Sequence, residues 1–80
     1  MKTAIVIINY NGLNLIKKFM PSIITNSSNF NIYVIDNNST DDSVNYIKNN
    51  FSNINIIKNS SNLGYAGGYN EGIKKIDEDL

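Results

Sequence analysis

The sequence predicts an α/β fold, a three-layer sandwich around a parallel sheet. Two observations predict it. Short apolar runs recur at residues 4–8, 32–35 and 54–57, and stretches with helical spacing follow each of them, giving the order βαβαβα. The first run, Ala4-Ile5-Val6-Ile7-Ile8, is continuous rather than alternating, as in a strand covered by helices on both faces. Right-handed crossovers between sequential parallel strands then set the strand order 3-2-1.

Each element follows from local pattern. After the first strand, Asn9, Tyr10, Asn11 and Gly12 form a polar turn. From Leu13 to about Asn26, apolar residues fall at Ile16, Phe19, Met20, Ile23 and Ile24, one stripe of a helix. Pro21 lies inside it, so the helix is expected to kink or restart there. Ile32-Tyr33-Val34-Ile35 is the second strand, and Asp36-Asn37-Asn38-Ser39 the second polar turn. Ser39 or Thr40 is suited to cap the next helix, with Asp41 and Asp42 in its first turn and Val44, Ile47 and Phe51 on its apolar face. Ile54-Asn55-Ile56-Ile57 is the third strand. A loop rich in Asn, Ser and Gly leads to a last helix, expected to start near Ala66 and to carry Tyr69, Ile73 and Ile76 inward.

Composition narrows the function. Eighty residues suffice for one small domain with a limited core. Seven lysines balance seven acidic residues, and there is no Arg, which disfavours nucleic acid as a partner. The absence of His removes the commonest general base, and the absence of Cys removes disulfides, thiolate metal sites and thiol nucleophiles. The abundance of Asn and Ile reads as base composition of the gene rather than function. The apolar run near the start is too short for a signal peptide or a membrane span, which leaves cytoplasmic residence, or the inner face of a membrane, as the default expectation.

The chemistry is expected where ligands bind in open parallel sheets, beyond the carboxyl ends of the strands. Three turns converge there. Asp36 is placed either to accept hydrogen bonds from a ribose or a pyrimidine N–H, or simply to satisfy turn amides. Tyr10 offers a face for a base; the alternative is a plain strand-to-helix connection. In the third turn Gly64, Gly67, Gly68 and Gly72 allow close approach of phosphate or sugar, or tight helix–sheet packing. Their spacing matches neither the dinucleotide fingerprint nor a P-loop.

The three turns together carry a resemblance. Ile7-Ile8-Asn9-Tyr10-Asn11-Gly12 resembles the opening Val-Tyr-Asn motif of family 2 glycosyltransferases. Val34-Ile35-Asp36-Asn37-Asn38-Ser39-Thr40-Asp41 resembles their Val-Asp-Asp/Asn-x-Ser-x-Asp motif. Asn62-x-Gly64-x-Ala66-Gly67-Gly68-x-Asn70-x-Gly72 is similar to their Asn-x-Gly-x-Ala-x-Ala/Gly-x-Asn-x-Gly motif, and its Gly-Gly form looks most like the rhamnosyltransferase-like branch. Many other members carry an Arg where Gly68 stands, so contacts made by that Arg have no counterpart here.

The resemblance implies the N-terminal part of a GT-A (Rossmann-like) domain and transfer of a sugar from an NDP-sugar donor, UDP- or dTDP-linked, to a glycan or lipid-linked acceptor hydroxyl. It implies Asp36 and Asn38 at the base or ribose, Tyr10 and Asn11 against the nucleotide, and Asn62, Gly64, Gly67, Gly68 and Asn70 as a shelf near ribose and diphosphate. It also implies a divalent metal, Mn²⁺ or Mg²⁺, held by an Asp-x-Asp motif after a fourth strand, and a later carboxylate as general base; both are expected beyond residue 80. Asp77-Glu78-Asp79 has the Asp-x-Asp form, but it follows a helix and reads as a solvated helix end. Residues 1–80 are therefore expected to be a truncated nucleotide-binding subdomain, inactive alone, whose first strand presents an unpaired edge prone to self-association.

Two rival readings differ in what they require. A non-catalytic nucleotide-binding or regulatory module would end near Leu80. The other is a generic flavodoxin-like or receiver-like α/β domain; a receiver would need clustered acidic residues after strand 1, where this chain has Asn-Tyr-Asn-Gly.

Overall fold

The computed structural model describes the backbone of residues 4–26 and 30–79 and the side chains of the same segments as far as Ile76. Its elements run β1 (Ala4–Asn9), α1 (Leu13–Asn26), β2 (Asn31–Asp36), α2 (Ser43–Asn50), β3 (Asn55–Lys58) and α3 (Gly64–Asp79). The three strands are parallel, with β2 between β1 and β3, the expected order.

β2 is the strand buried on both faces, continuously from Ile32 to Asp36, whereas the expectation had placed β1 in that position. β1 pairs on one side alone among the described residues, and its apolar residues are half-buried. Alternation divides the core. Ile32, Val34 and Ile54 pack with Ile16 and Met20 of α1 and Ile47 of α2 on one face. Tyr33 and Ile35 pack with Ile76 of α3 on the other, flanked by Ala4, Val6, Ile57 and Ile73. This is the three-layer sandwich the sequence predicts.

Several local expectations change. α1 runs as one helix through Pro21, with no restart. Proline removes the bond to the carbonyl four residues back; here Pro21 and Lys17 both lie on the exposed face, where water can serve that carbonyl. α2 starts after Asp42, so Asp41 and Asp42 precede it, and Phe51 follows it as the C-cap residue. Ser39 and Thr40 do not cap it: the Ser39 hydroxyl turns back to Asp36 instead.

α3 begins at Gly64, two residues earlier than expected, and its buried stripe is Gly68, Gly72 and Ile76, spaced four apart. Tyr69 is 44 % exposed rather than inward. Glycines set the approach: a Cβ on Gly72 would stand 2.4–2.6 Å from three atoms of the fully buried Ile35. The helix therefore rests its backbone on β2, and the neighbouring Tyr69 is rotated to the outside.

Candidate functional site

The carboxyl ends of β1 and β2 lie in register, Asn9 beside Asp36, and the next backbone bond, Asn37 N–H to the Asn9 carbonyl, draws the two turns together. The polar residues there form one buried network. Asp36 is fully buried. Its Oδ1 accepts from Asn9 Nδ2 at 2.9 Å and from the Ser39 hydroxyl at 2.6 Å, and its Oδ2 accepts from Ser39 N–H at 2.9 Å. Asn9 Nδ2 also reaches Ser43 Oγ at 2.9 Å, and its Oδ1 accepts from Gly12 N–H.

Asn11 and Asn38 both have positive φ, 52° and 65°, a conformation in which Asn is enriched among non-glycine residues. The turn at Asn11 lets its Oδ1 accept from the N–H groups of Thr40 and Asp41 at 2.7 and 3.1 Å. Asp41 in turn joins two helix starts. Its Oδ2 accepts from Leu13 N–H, the first amide of α1, at 3.1 Å, and its Oδ1 from Ser43 N–H, the first amide of α2, at 3.0 Å. Burial alone would raise the Asp41 pKa, but hydrogen bonds from the Ser43 hydroxyl and N–H and from Leu13 N–H outweigh it and hold the carboxyl below its ordinary value.

The third turn is tied to the second by amides. Asn37 Nδ2 donates to Asn62 Oδ1 at 2.9 Å and to the Gly64 carbonyl at 3.0 Å, while Asn37 Oδ1 accepts from Leu63 N–H and Asn59 Nδ2. Asn62 Oδ1 also accepts from Gly64 N–H, closing an Asx turn at the start of α3. Gly64 has φ 73°, which glycine adopts without the strain a side chain would bring.

Where the three turns meet, Tyr10, Asn37, Asn62, Gly64 and Tyr65 line a cleft of about 120 Å³. Of the residues singled out in the sequence, Tyr10, Asn62 and Gly64 stand on its wall. Asp36 lies behind it with its oxygens engaged inside the protein. Asn38 is exposed and Asn11 is engaged with the turn after β2. Gly67 and Gly68 lie in the first turns of α3, Gly68 facing Asn37, and Asn70 is exposed on that helix. Asn9, Asn37, Asn59 and Ser43 were not singled out, although all are buried and joined to this framework. Nor was Tyr65, which is 74 % exposed and forms one wall. A second, apolar groove of about 360 Å³ runs along β1 and α1, between Ile7, Ile8, Leu15, Phe19 and Ile23, and reaches Tyr10 and Tyr65 at the same end.

These residues do not fit a divalent metal. The cleft wall carries amide, backbone and phenol groups, the two nearby carboxylates are taken up by the protein's own donors, and no cluster of acidic, His or Cys ligands occurs among the described residues. The side chains of Asp77, Glu78 and Asp79 lie outside the described residues. No helix among the described residues is long and apolar enough to cross a membrane.

No curated protein matches the chain. The model of the family described as "Glycosyl transferase family 2" matches residues 4–80. The parallel order of the strands, with helices on both faces, is that of the N-terminal part of a GT-A, Rossmann-like domain. The match spans the sheet, the cleft and all three turns, so the chain belongs to glycosyl transferase family 2.

Proposed function

We propose that these residues hold the nucleotide of an NDP-sugar donor, UDP- or dTDP-linked, for transfer of a hexosyl or rhamnosyl unit to an acceptor hydroxyl in glycan or polysaccharide synthesis. The observation that carries this reading is the meeting of all three turns around one cleft beyond the carboxyl ends of β1 and β2. Tyr10 and Tyr65 present two exposed rings at its mouth, suited to a planar base. Asn62 offers polar atoms on the wall. At the start of α3 the Gly64 N–H is taken by Asn62 Oδ1, a neutral acceptor, and the next amides, those of Tyr65 and Ala66, have no intrahelical acceptor and favour an anion such as the diphosphate. The α1 and α2 starts are less suited to that role, because the acceptor at both is the Asp41 carboxylate, whose charge repels an anion. Asp36 acts from behind the wall, fixing the turn that presents Asn37 and Asn38. The Gly67-Gly68 pair supports the rhamnosyltransferase-like branch.

The metal and the general base are assigned to residues outside this stretch, so residues 1–80 alone bind donor weakly and turn over none. Turnover by them with Mn²⁺ or Mg²⁺ would overturn that assignment. The active protein works in the cytoplasm, at the inner face of the membrane where a lipid-linked acceptor is present. The free edge of β1 and the apolar groove beside it support self-association of residues 1–80; a monomeric mass by light scattering at high concentration would count against it.

The direct test is titration with UDP and dTDP, with ADP for comparison, followed by NMR. Shifts are expected at Tyr10, Asn62 and Tyr65. Tyr10→Ala and Tyr65→Ala should each weaken binding by about tenfold or more, the effect of losing one base–aromatic contact of roughly 1–3 kcal/mol, with unfolding midpoints unchanged. Saturating nucleotide that moves none of these signals would reject the site.

A further inference from the structure

The side chain that fastens the third turn to the sheet has nothing left to offer a ligand. Asn37 is 2 % exposed. A primary amide has two donor hydrogens and two acceptor lone pairs, and Asn37 uses all four. Its Nδ2 donates to Asn62 Oδ1 and the Gly64 carbonyl; its Oδ1 accepts from Asn59 Nδ2 at 3.3 Å and Leu63 N–H at 3.2 Å. Every partner lies between residues 59 and 64. Those residues carry the cleft wall made by Asn62 and Gly64 and lead directly to Tyr65.

Gly68 closes over this amide from α3. A Cβ at Gly68 would stand 2.7 Å from Cγ, Nδ2 and Oδ1 of Asn37 alike. No rotation of the amide about its own terminal bond relieves a collision with all three atoms. The Gly68 carbonyl also accepts from Asn59 Nδ2 at 3.1 Å, so the glycine is tied to the same hub.

We infer that Asn37 and Gly68 act together as a positioning pair: Asn37 sets Asn62, Gly64 and Tyr65 opposite Tyr10, and the missing side chain at Gly68 is required by the Asn37 amide, not by a phosphate. The inference rests on the nucleotide reading of the cleft, which supplies the ligand being positioned. It reassigns Gly68 from ligand shelf to support. It also makes the two residues energetically dependent on each other, as neighbours that share one contact are.

The test is a double-mutant cycle in the full chain: Asn37→Ala, Gly68→Ala and the pair, each titrated with UDP and dTDP well below its unfolding midpoint. Truncating Asn37 removes all three atoms that the new Cβ would meet, leaving room for it. Each single variant should bind roughly tenfold more weakly, about the effect of 1.4 kcal/mol, and the double variant should be no weaker than Asn37→Ala alone. If the factors for the singles multiply in the double variant, Gly68 serves the ligand directly and the inference falls. It also falls if folded Asn37→Ala binds as the parent does, because a purely structural role alters the midpoint and not the affinity of the folded state.

A second readout needs no ligand. Hydrogen exchange of a peptide spanning residues 60–66, read by mass spectrometry, should quicken in both single variants, because Leu63 N–H loses its acceptor. Unchanged exchange in both would overturn the pairing. Should the parent protein bind neither nucleotide, the nucleotide reading fails by itself, and the exchange result still decides whether Asn37 and Gly68 hold the turn.

Discussion

The two halves of the cleft are built differently. The turns after β1 and β2 are interlocked: Asp36, Asn9, Ser39 and Ser43 share buried hydrogen bonds, Asn11 binds the backbone of the second turn, and Asp41 binds the starts of two helices. The turn after β3 reaches the sheet chiefly through neutral amides, those of Asn37 and Asn59, with Lys75 Nζ bracing Asn59 and the Lys58 carbonyl from α3. One half carries two carboxylates inside its bonding pattern; the other carries none. The difference teaches that an acidic residue at a strand end can be engaged by the protein's own donors. Here both carboxylates are bound within the frame, and the cleft is lined by two tyrosines, two asparagines and a glycine.

The sharpest way to break the interlocked half is Asp36→Ala. It opens a void beside β2, takes the acceptor from the half-buried Ser39 N–H and hydroxyl, and leaves Asn9 Nδ2 with Ser43 and Ser39 alone. Hydrogen bonds to a charged group contribute about 1.5–3 kcal/mol and donors left without an acceptor add to the loss, so about 3 kcal/mol or more is expected. A chain of this length has only about 4–12 kcal/mol in total, so the urea midpoint should fall steeply. A loss below about 1 kcal/mol would mean that these bonds are not what holds the two turns.

On the α3 side the largest effect is steric. Gly72→Ala drives a methyl into Ile35, whose whole side chain is in the way and has no exit. Overpacking of this kind costs typically about 1–3 kcal/mol. Because α3 carries Gly68 and follows the third turn directly, this variant should also speed hydrogen exchange at residues 60–66 while leaving the Asn11 and Ser39 amides protected. Equal disturbance of both halves would erase the distinction between them.

Much of this was legible in the sequence. The βαβαβα order and the strand order follow from short apolar runs separated by amphipathic stretches, and those patterns report burial directly. The convergence of three polar turns follows from the parallel topology. What escaped was direction within the turns. Asp36 and Asn37 are adjacent, and period alone cannot say that Asp36 is turned to Asn9 and Ser39 while Asn37 floors the cleft. The roles of Asn9, Asn37 and Asn59 were hidden by an Asn-rich composition, in which no single Asn stands out. The inward face of α3 was misplaced for a related reason: a stripe of Gly68, Gly72 and Ile76 has little apolar signal, so Tyr69 looked like its core residue. The four-residue spacing of the two glycines carried a signal, and tight helix–sheet packing was one of the two readings it offered.

The smallest effect gives the finest contrast, because it acts on charge alone. Asp41 is exposed, yet its folded pKa lies below its ordinary value through the bonds from Ser43 and Leu13. For a carboxylate lowered on folding, the stabilisation is complete above the unfolded value, roughly 4 for Asp, and is withdrawn as pH falls through the folded value. Solvent screening and exposure keep it small, about 0.5–1 kcal/mol, within the range of a helix cap. Asp41→Asn should lose about that much at pH 7 and flatten the fall in stability below pH 4. In the parent protein, acidification through that window should move the NMR signals of Leu13 and Ser43, whose amides face the carboxylate, and leave those of Leu63 and Gly64 in place, since their acceptors are the side-chain oxygens of Asn37 and Asn62. If all four amides move together, the carboxylate-bound and the amide-bound halves of the cleft are one cooperative unit, and the comparison between them reduces to chemistry without mechanical consequence.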